Sequence, residues 1–363
     1  MFRARVARSL TLLALLSGFA ALVACAGDDT GNPPEPSEDA TDELRRRRRD
    51  AGTSTDASTI DAGGSADAAA PTADAGGSTP PPTRSSNCAP SPHACGYPDE
   101  TNTGITPGKV LRRVPQDVTS GPGWSWDTRG FLRVESAGAV IDGIDVQGEI
   151  YITVPRVTIR NAKVTFGGGS SIGISVRPGA NDVVIESSRI SGANAGAERM
   201  MAGIKAWGQT GLQVRRCDIT FTSTAIQTDQ GLVTDNYVHD MGFLEGDHTN
   251  GFTSNAYGGG VVVRHNTIFN QLAQTDAVSF FQDFGVQKDA TIDDNLLAGG
   301  GYVIYGGGGS KGVTSNIKIT NNRIGRQLFP KGGFYGWLAW YDAQGAGNVL
   351  GGNVWDDTSA PVQ

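Results

Sequence analysis

Between residues 26 and 83 the chain contains no Phe, Trp or Tyr. A stretch dominated by Ala, Asp, Gly, Ser, Thr and Pro cannot bury enough apolar surface to order itself. These 58 residues are therefore expected to be a disordered tether, with a reach of roughly 40 Å as a flexible coil. Helical periodicity is missing as well. Nowhere do apolar residues recur at helical spacing over a helix's length, which excludes helical repeats. Charge of one sign is lacking where order is expected. Of 30 Lys+Arg and 37 Asp+Glu, 8 and 12 precede Arg84, leaving 22 against 25. So nearly neutral a domain argues against a nucleic-acid partner.

The first residues carry Arg3, Arg5 and Arg8 ahead of an apolar run over residues 10–24, too short and wrongly flanked to span a membrane. This reads as a signal peptide over residues 1–24. The closing Leu22-Val-Ala-Cys25 resembles a bacterial lipobox, which implies cleavage before Cys25, lipidation of its thiol and a lipidated linker over residues 25–83. Ala26, where retained lipoproteins carry Asp, points to the outer membrane. The expected location is exported and lipid-anchored, at the outer membrane or cell surface, with membrane contact through the lipid alone. Five consecutive cations, Arg45 to Arg49, read as a solvated charge block in the linker.

What the chain does have is a repeated phrase, clearest as Val261-Val-Val-Arg-His-Asn-Thr-Ile-Phe269: alternating apolar positions, a small polar step at Asn266, then a further apolar position. Its copies put Ile144, Ala162, Ser188, Cys217, Asn236, Asn266, Asn295, Asn322 and Asn353 at the step, at intervals of 18, 26, 29, 19, 30, 29, 27 and 31 residues. A constant pattern with connections of varying length is the signature of a solenoid. Alternation makes strands with one inward face, and strands stacked about 4.8 Å apart bury a continuous core. Asn at the step is expected to hydrogen-bond through its amide to the same position one coil away, forming a ladder.

The expected fold is all-β: a single-stranded parallel β-helix of about nine coils over residues 139–363, after a cap region over residues 84–138 in which Trp124 and Trp126 cover the first coil's open edge. A monomer is expected. Of the four cysteines, Cys217 falls in the ladder slot, and Cys88 and Cys95 lie in a loop-rich opening where an exported protein is expected to pair them. Two free thiols, or a metal site with His93 that lacks a fourth ligand, are the alternatives.

On these repeats, the chain from about Asn87 resembles the right-handed parallel β-helix of the pectate-lyase-like superfamily. Cys95-Gly-Tyr-Pro-Asp-Glu-Thr-Asn-Thr-Gly104 and Gly246-Asp-His-Thr-Asn-Gly-Phe252 are similar to stretches of largely uncharacterised bacterial β-helix proteins. The fold hosts lyases, hydrolases, epimerases and adhesins alike. In pectate-lyase-like enzymes the sheet after the ladder, with the loops at its edges, forms the substrate groove, so the resemblance implies acidic polysaccharide as the partner. Two signatures of the family are absent. The lyase Arg-x-Pro-x-x-Arg has no match, because Arg156 after Pro155 has no partner arginine, and His248-Thr249-Asn250 stands where polygalacturonase-like hydrolases carry Asn-Thr-Asp.

After each ladder phrase comes a second short strand. With Ile174, Ile204, Ile226, Phe252 and Val278 inward, alternation turns two columns outward: Ser175, Lys205, Gln227, Thr253, Ser279, and Arg177, Trp207, Asp229, Asn255, Phe281. Cations, amides and aromatics on one face suit a polysaccharide, whose carboxylates meet Arg or Lys, whose hydroxyls meet amides and whose rings stack on Trp or Phe. Long loops bring Asp247, His248 and Asp276 to its edge. For β-elimination from uronates, Lys205 or His248 would be the base, and Arg177 or a Ca²⁺ held by Asp229 and Asp247 would neutralise the carboxylate. Lys205, Asp247 and His248 are thus the candidate catalytic set, with Arg177, Trp207, Gln227, Asp229, Thr253, Asn255, Asp276 and Phe281 as substrate contacts. The alternatives are a non-catalytic glycan-binding or adhesive lipoprotein, and an inverting hydrolase using carboxyls among Asp229, Asp247 and Asp276.

Overall fold

A computed structural model describes residues 86–362. The signal peptide, Cys25 and the linker lie outside the described residues. Helix among them is confined to one short turn, Pro92–Cys95. Everything else regular is strand, in a 17-stranded and an 11-stranded sheet.

The repeated phrase builds the larger sheet. Val261–Arg264 and Thr267–Asn270 are two strands flanking the step, and each pairs in parallel with its counterpart one coil earlier and one coil later. In the first two coils Val140–Gln147 and Thr158–Thr165 cross the step as unbroken strands. The residue before each slot is left-handed: Gly143, Asn161, Ser187, Arg216, Asp235, His265, Asp294, Asn321 and Gly352 all have φ between 46° and 74°. Asn and Asp tolerate this conformation better than most residues. One such residue per coil turns the chain and aims the next side chain inward.

The slot residues then form the expected ladder. Asn236, Asn266, Asn295 and Asn322 each donate Nδ2 to the Oδ1 of the next Asn at 2.9–3.0 Å, ending on Asn353. The same oxygens accept the backbone N–H of the preceding coil's Asn at 2.9–3.0 Å. Earlier coils use smaller groups. Ser188 Oγ accepts the Ala162 N–H, and buried Cys217 donates its own N–H to Asn236 Oδ1. Burial pushes the Cys217 thiol up to about 12, so it stays a neutral packing group.

The smaller sheet stacks the second strand of each coil in register: Ile174, Ile204, Ile226, Phe252, Val278 and Ile304 are consecutive partners and all buried. The position just before them is inward too. Ala225, Ala277 and Val303 join the same core, and a Cβ on Gly251 would meet Ile268 Cγ2 at 2.3 Å, so this slot admits small residues. Two consecutive inward residues break the alternation and put a further register column ahead of them, Ala202, Thr224, Asn250, Asp276 and Tyr302, of which Ala202, Asn250 and Asp276 are themselves buried. These coils make a parallel β-helix.

At the N-terminal end Trp124–Asp127 and Phe131–Val134 lead antiparallel into the first coil, and Trp124 is buried there. The residues ahead of them do not stay at that end. They run as a strap back along the ladder side. Asn87 and Ala89 donate to Asp356 in the last coil, and the Tyr97 hydroxyl donates to Asp294 while its ring stacks on His265. Gly104 then bonds Arg216, Thr106 bonds Asn161, and Lys109 pairs with Asp142 at 2.8 Å in the first coil. The Cys88–Cys95 disulfide is present near the strap's start. At the other end Val354 and Pro361 form an antiparallel bridge, so the last residues fold back over the final coil.

Candidate ligand-binding face

Tyr151, Ser175, Lys205, Gln227, Thr253, Ser279 and Tyr305 follow one another in strict register on the outer face of the smaller sheet. Arg177, Trp207, Asp229, Asn255 and Phe281 lie just beyond the strand ends on successive coils. The first column keeps the expected register, but Ser175, Thr253 and Ser279 within it are buried, as is Asp229 in the second.

The early coils join cations to rings. The Arg177 guanidinium lies 4.2 Å from the Trp207 ring centroid, Lys205 Nζ lies 5.1 Å from the same ring, and Tyr151 receives Arg133 and Arg177 at 5.2 and 5.6 Å. Such contacts attract each cation to the electron-rich face of the ring. Buried Glu149 sits beside them and accepts a hydrogen bond from the Ser175 hydroxyl. Burial raises its pKa, with Ser175, Arg177 and Arg133 opposing in part. The late coils are aromatic: Phe281 meets Tyr305 at 5.2 Å, Tyr305 meets Trp340 at 5.2 Å, and Tyr302 meets Tyr335 at 5.7 Å. Tyr302, Tyr305 and Trp340 escaped the sequence reading. The signal was there in the consecutive inward pair, which turns Tyr302 out as well as Tyr305.

The candidate catalytic residues do not converge. Lys205 is in register with Gln227 and, through it, with Thr253. Exposed His248 precedes Asn250, itself three residues and about 10 Å upstream of Thr253 along the strand. The His248 carbonyl accepts from Ser223 Oγ at 3.0 Å. Asp247 takes two hydrogen bonds of 2.6 Å from Arg199 and a third from the Leu244 N–H. Burial would raise its pKa, yet Arg199 and Leu244 win and hold it below the usual carboxylate range. Arg199 also donates to the Gly169 carbonyl, so one guanidinium ties loops of three coils together. Sequence reasoning missed Arg199, because nothing in its loop marks it as a clamp.

The other carboxyls are occupied or enclosed. Asp229 Oδ1 accepts from Ser254 Oγ at 2.8 Å and from the Asn255 N–H at 2.7 Å, pinning the next coil. Asp276 is fully buried under the outer face, so it cannot touch a substrate as expected. Burial pushes its carboxyl well above the usual range, and the Ser279 hydroxyl, committed to Thr253 and Phe252, offsets this only in part. Asp229 lies beside Asn255, and Asp276 pairs with Asn250, five residues away along that strand. The resulting separation of roughly 16 Å exceeds the ~6.5–9.5 Å that inversion uses. Asp229 and Asp247 likewise lie at opposite ends of the strands, each engaged by donors, and do not fit a shared Ca²⁺. Among the described residues no cluster of three or more His, Cys, Asp or Glu is placed to hold a metal. A depression lined by Asn87, Arg326, Gln327, Asp356 and Asp357 belongs to the strap's start, not to this face.

Compared with family models and with curated protein sequences, the chain matches none. Among solved structures it is similar to the pectate lyase Pel9A, at 14% identity and a TM-score of 0.37, over 62% of this chain and 58% of that one. It is also similar to the Dettilon tailspike protein, at 15% identity and a TM-score of 0.32, over 54% of this chain and 42% of that one. Both matches are partial, and the chain spans less than two thirds of either protein.

Proposed function

We propose that this protein is a surface-tethered β-helix whose outer sheet face binds acidic polysaccharide without cleaving it. The observation that carries this reading is the Arg177–Trp207–Lys205 group, in which one indole is flanked by two cations on the open face of the sheet. A uronate can stack on the ring while its carboxylate meets the cations, and Gln227 and Asn255 on the following coils supply amides for hydroxyls. Binding asks only that these groups line one face. Elimination asks in addition for a base beside the neutralising cation, and Asp247, bound to Arg199, acts as a loop clamp in our reading. Lipidation at Cys25, with the aromatic-free linker as tether, would hold the domain clear of a membrane surface.

Incubation with pectate, alginate and glycosaminoglycans, read by affinity electrophoresis and by the ultraviolet band of unsaturated uronates, tests the proposal. Retardation without absorbance supports it. Absorbance growing with time would return the assignment to lyase chemistry, and no retardation by any polymer would overturn it.

A further inference from the structure

Charge is unevenly distributed along this face. The cations on its strands or immediately after them sit in the early coils, at Arg133, Arg177 and Lys205, over Tyr151 and Trp207. The corresponding late stretches, residues 276–283, 302–309 and 336–342, contain no Lys or Arg and carry Phe281, Tyr302, Tyr305 and Trp340. Of their acids, Asp276 is enclosed within the sheet, while Asp283 and Asp342 lie beyond the strand ends, where Lys311 of the adjoining loop is close enough to Asp283 to interact with it. Lys205, Gln227, Thr253 and Ser279 are successive register partners, so three coil steps, roughly 14 Å, separate the cationic end from the aromatic end. One monosaccharide cannot reach both.

Resting on the polysaccharide-binding reading, we infer that the ligand is a heteropolymer laid along the solenoid axis, with an anionic block over Arg177 and Lys205 and uncharged sugar units stacked on Phe281 and Trp340, which cover the buried Tyr305 ring. An uncharged ring loses little on leaving water for an aromatic surface, whereas a carboxylate placed there would be desolvated without a cation in the strand to meet it. A uniformly charged chain therefore uses only the first half of the face. A neutral chain uses only the second.

Isothermal calorimetry with a fully de-esterified polyuronate, a block-wise methyl-esterified form of the same polymer and a neutral polysaccharide tests this. The block polymer is expected to bind at least tenfold more tightly than either other probe. Trp340→Ala, or the milder Trp340→Leu at this 37% exposed and so truncation-tolerant position, should remove that advantage and leave binding of the de-esterified polymer unchanged. Arg177→Ala should weaken the charged polymers and flatten their salt dependence. Equal affinity for block and fully charged polymers, with the aromatic variants behaving like wild type, would overturn the inference and leave the binding reading standing. Failure of all three probes to bind would remove the binding reading itself.

Discussion

Arg199 and Asp247 make a bidentate pair with both N···O distances at 2.6 Å, the two side chains only 6% and 13% exposed. Breaking a buried pair from one side leaves an uncompensated charge and costs about 3–5 kcal/mol. Arg199→Ala should therefore lower stability by that order in a denaturant titration, since the loops of three coils lose their common anchor. Because the folded pKa of Asp247 is depressed, its contribution is present above the ordinary carboxylate range and lost as pH falls through the folded value. The variant should accordingly show a shallower acid limb than wild type, and an unchanged limb would contradict the clamp role.

Asn266 is satisfied on every side, donating to Val233 O, Arg264 O and Asn295 Oδ1 while accepting from Asn236. Asn266→Leu strands those partners in the core and should cost about 1–3 kcal/mol in the same measurement. A neutral result would mean that the ladder contributes little beyond its packing.

Asp276 carries the opposite sign. Its raised pKa means that its contribution is fully present below the ordinary carboxylate range, near pH 4, and is lost as pH rises through the folded value. Asp276→Asn has no proton to lose. Thermal melts should show the variant more stable than wild type at neutral and alkaline pH, with the difference vanishing in acid. Parallel curves at all pH values would show that the buried carboxyl is paid for in some other way.

The coil architecture was legible because the step phrase repeats at strand length and because Asn at Asn236, Asn266, Asn295, Asn322 and Asn353 reports the ladder directly. The left-handed residue before each slot was harder to read, since Ser187, Arg216 and His265 occupy it beside the Gly, Asn and Asp that favour it. The strap was not legible at all. Tyr97 meets His265 and Asp294 only through tertiary contact across well over a hundred residues. On the candidate face, alternation placed Lys205, Trp207, Gln227 and Phe281 correctly on the outer side. It did not reveal that Asp229 and Asp247 are held by Ser254 and Arg199, because the partner of a polar side chain depends on loop paths that periodicity does not encode.

In the proposed function the outer face of the smaller sheet recognises acidic polysaccharide through Trp207 and the cations around it. Calorimetric titration of a polyuronate into wild type and into Trp207→Ala tests this most directly. Wild type should bind measurably and the variant at least tenfold more weakly, a loss of about 1.4 kcal/mol or more. Equal affinity of the two proteins would contradict it.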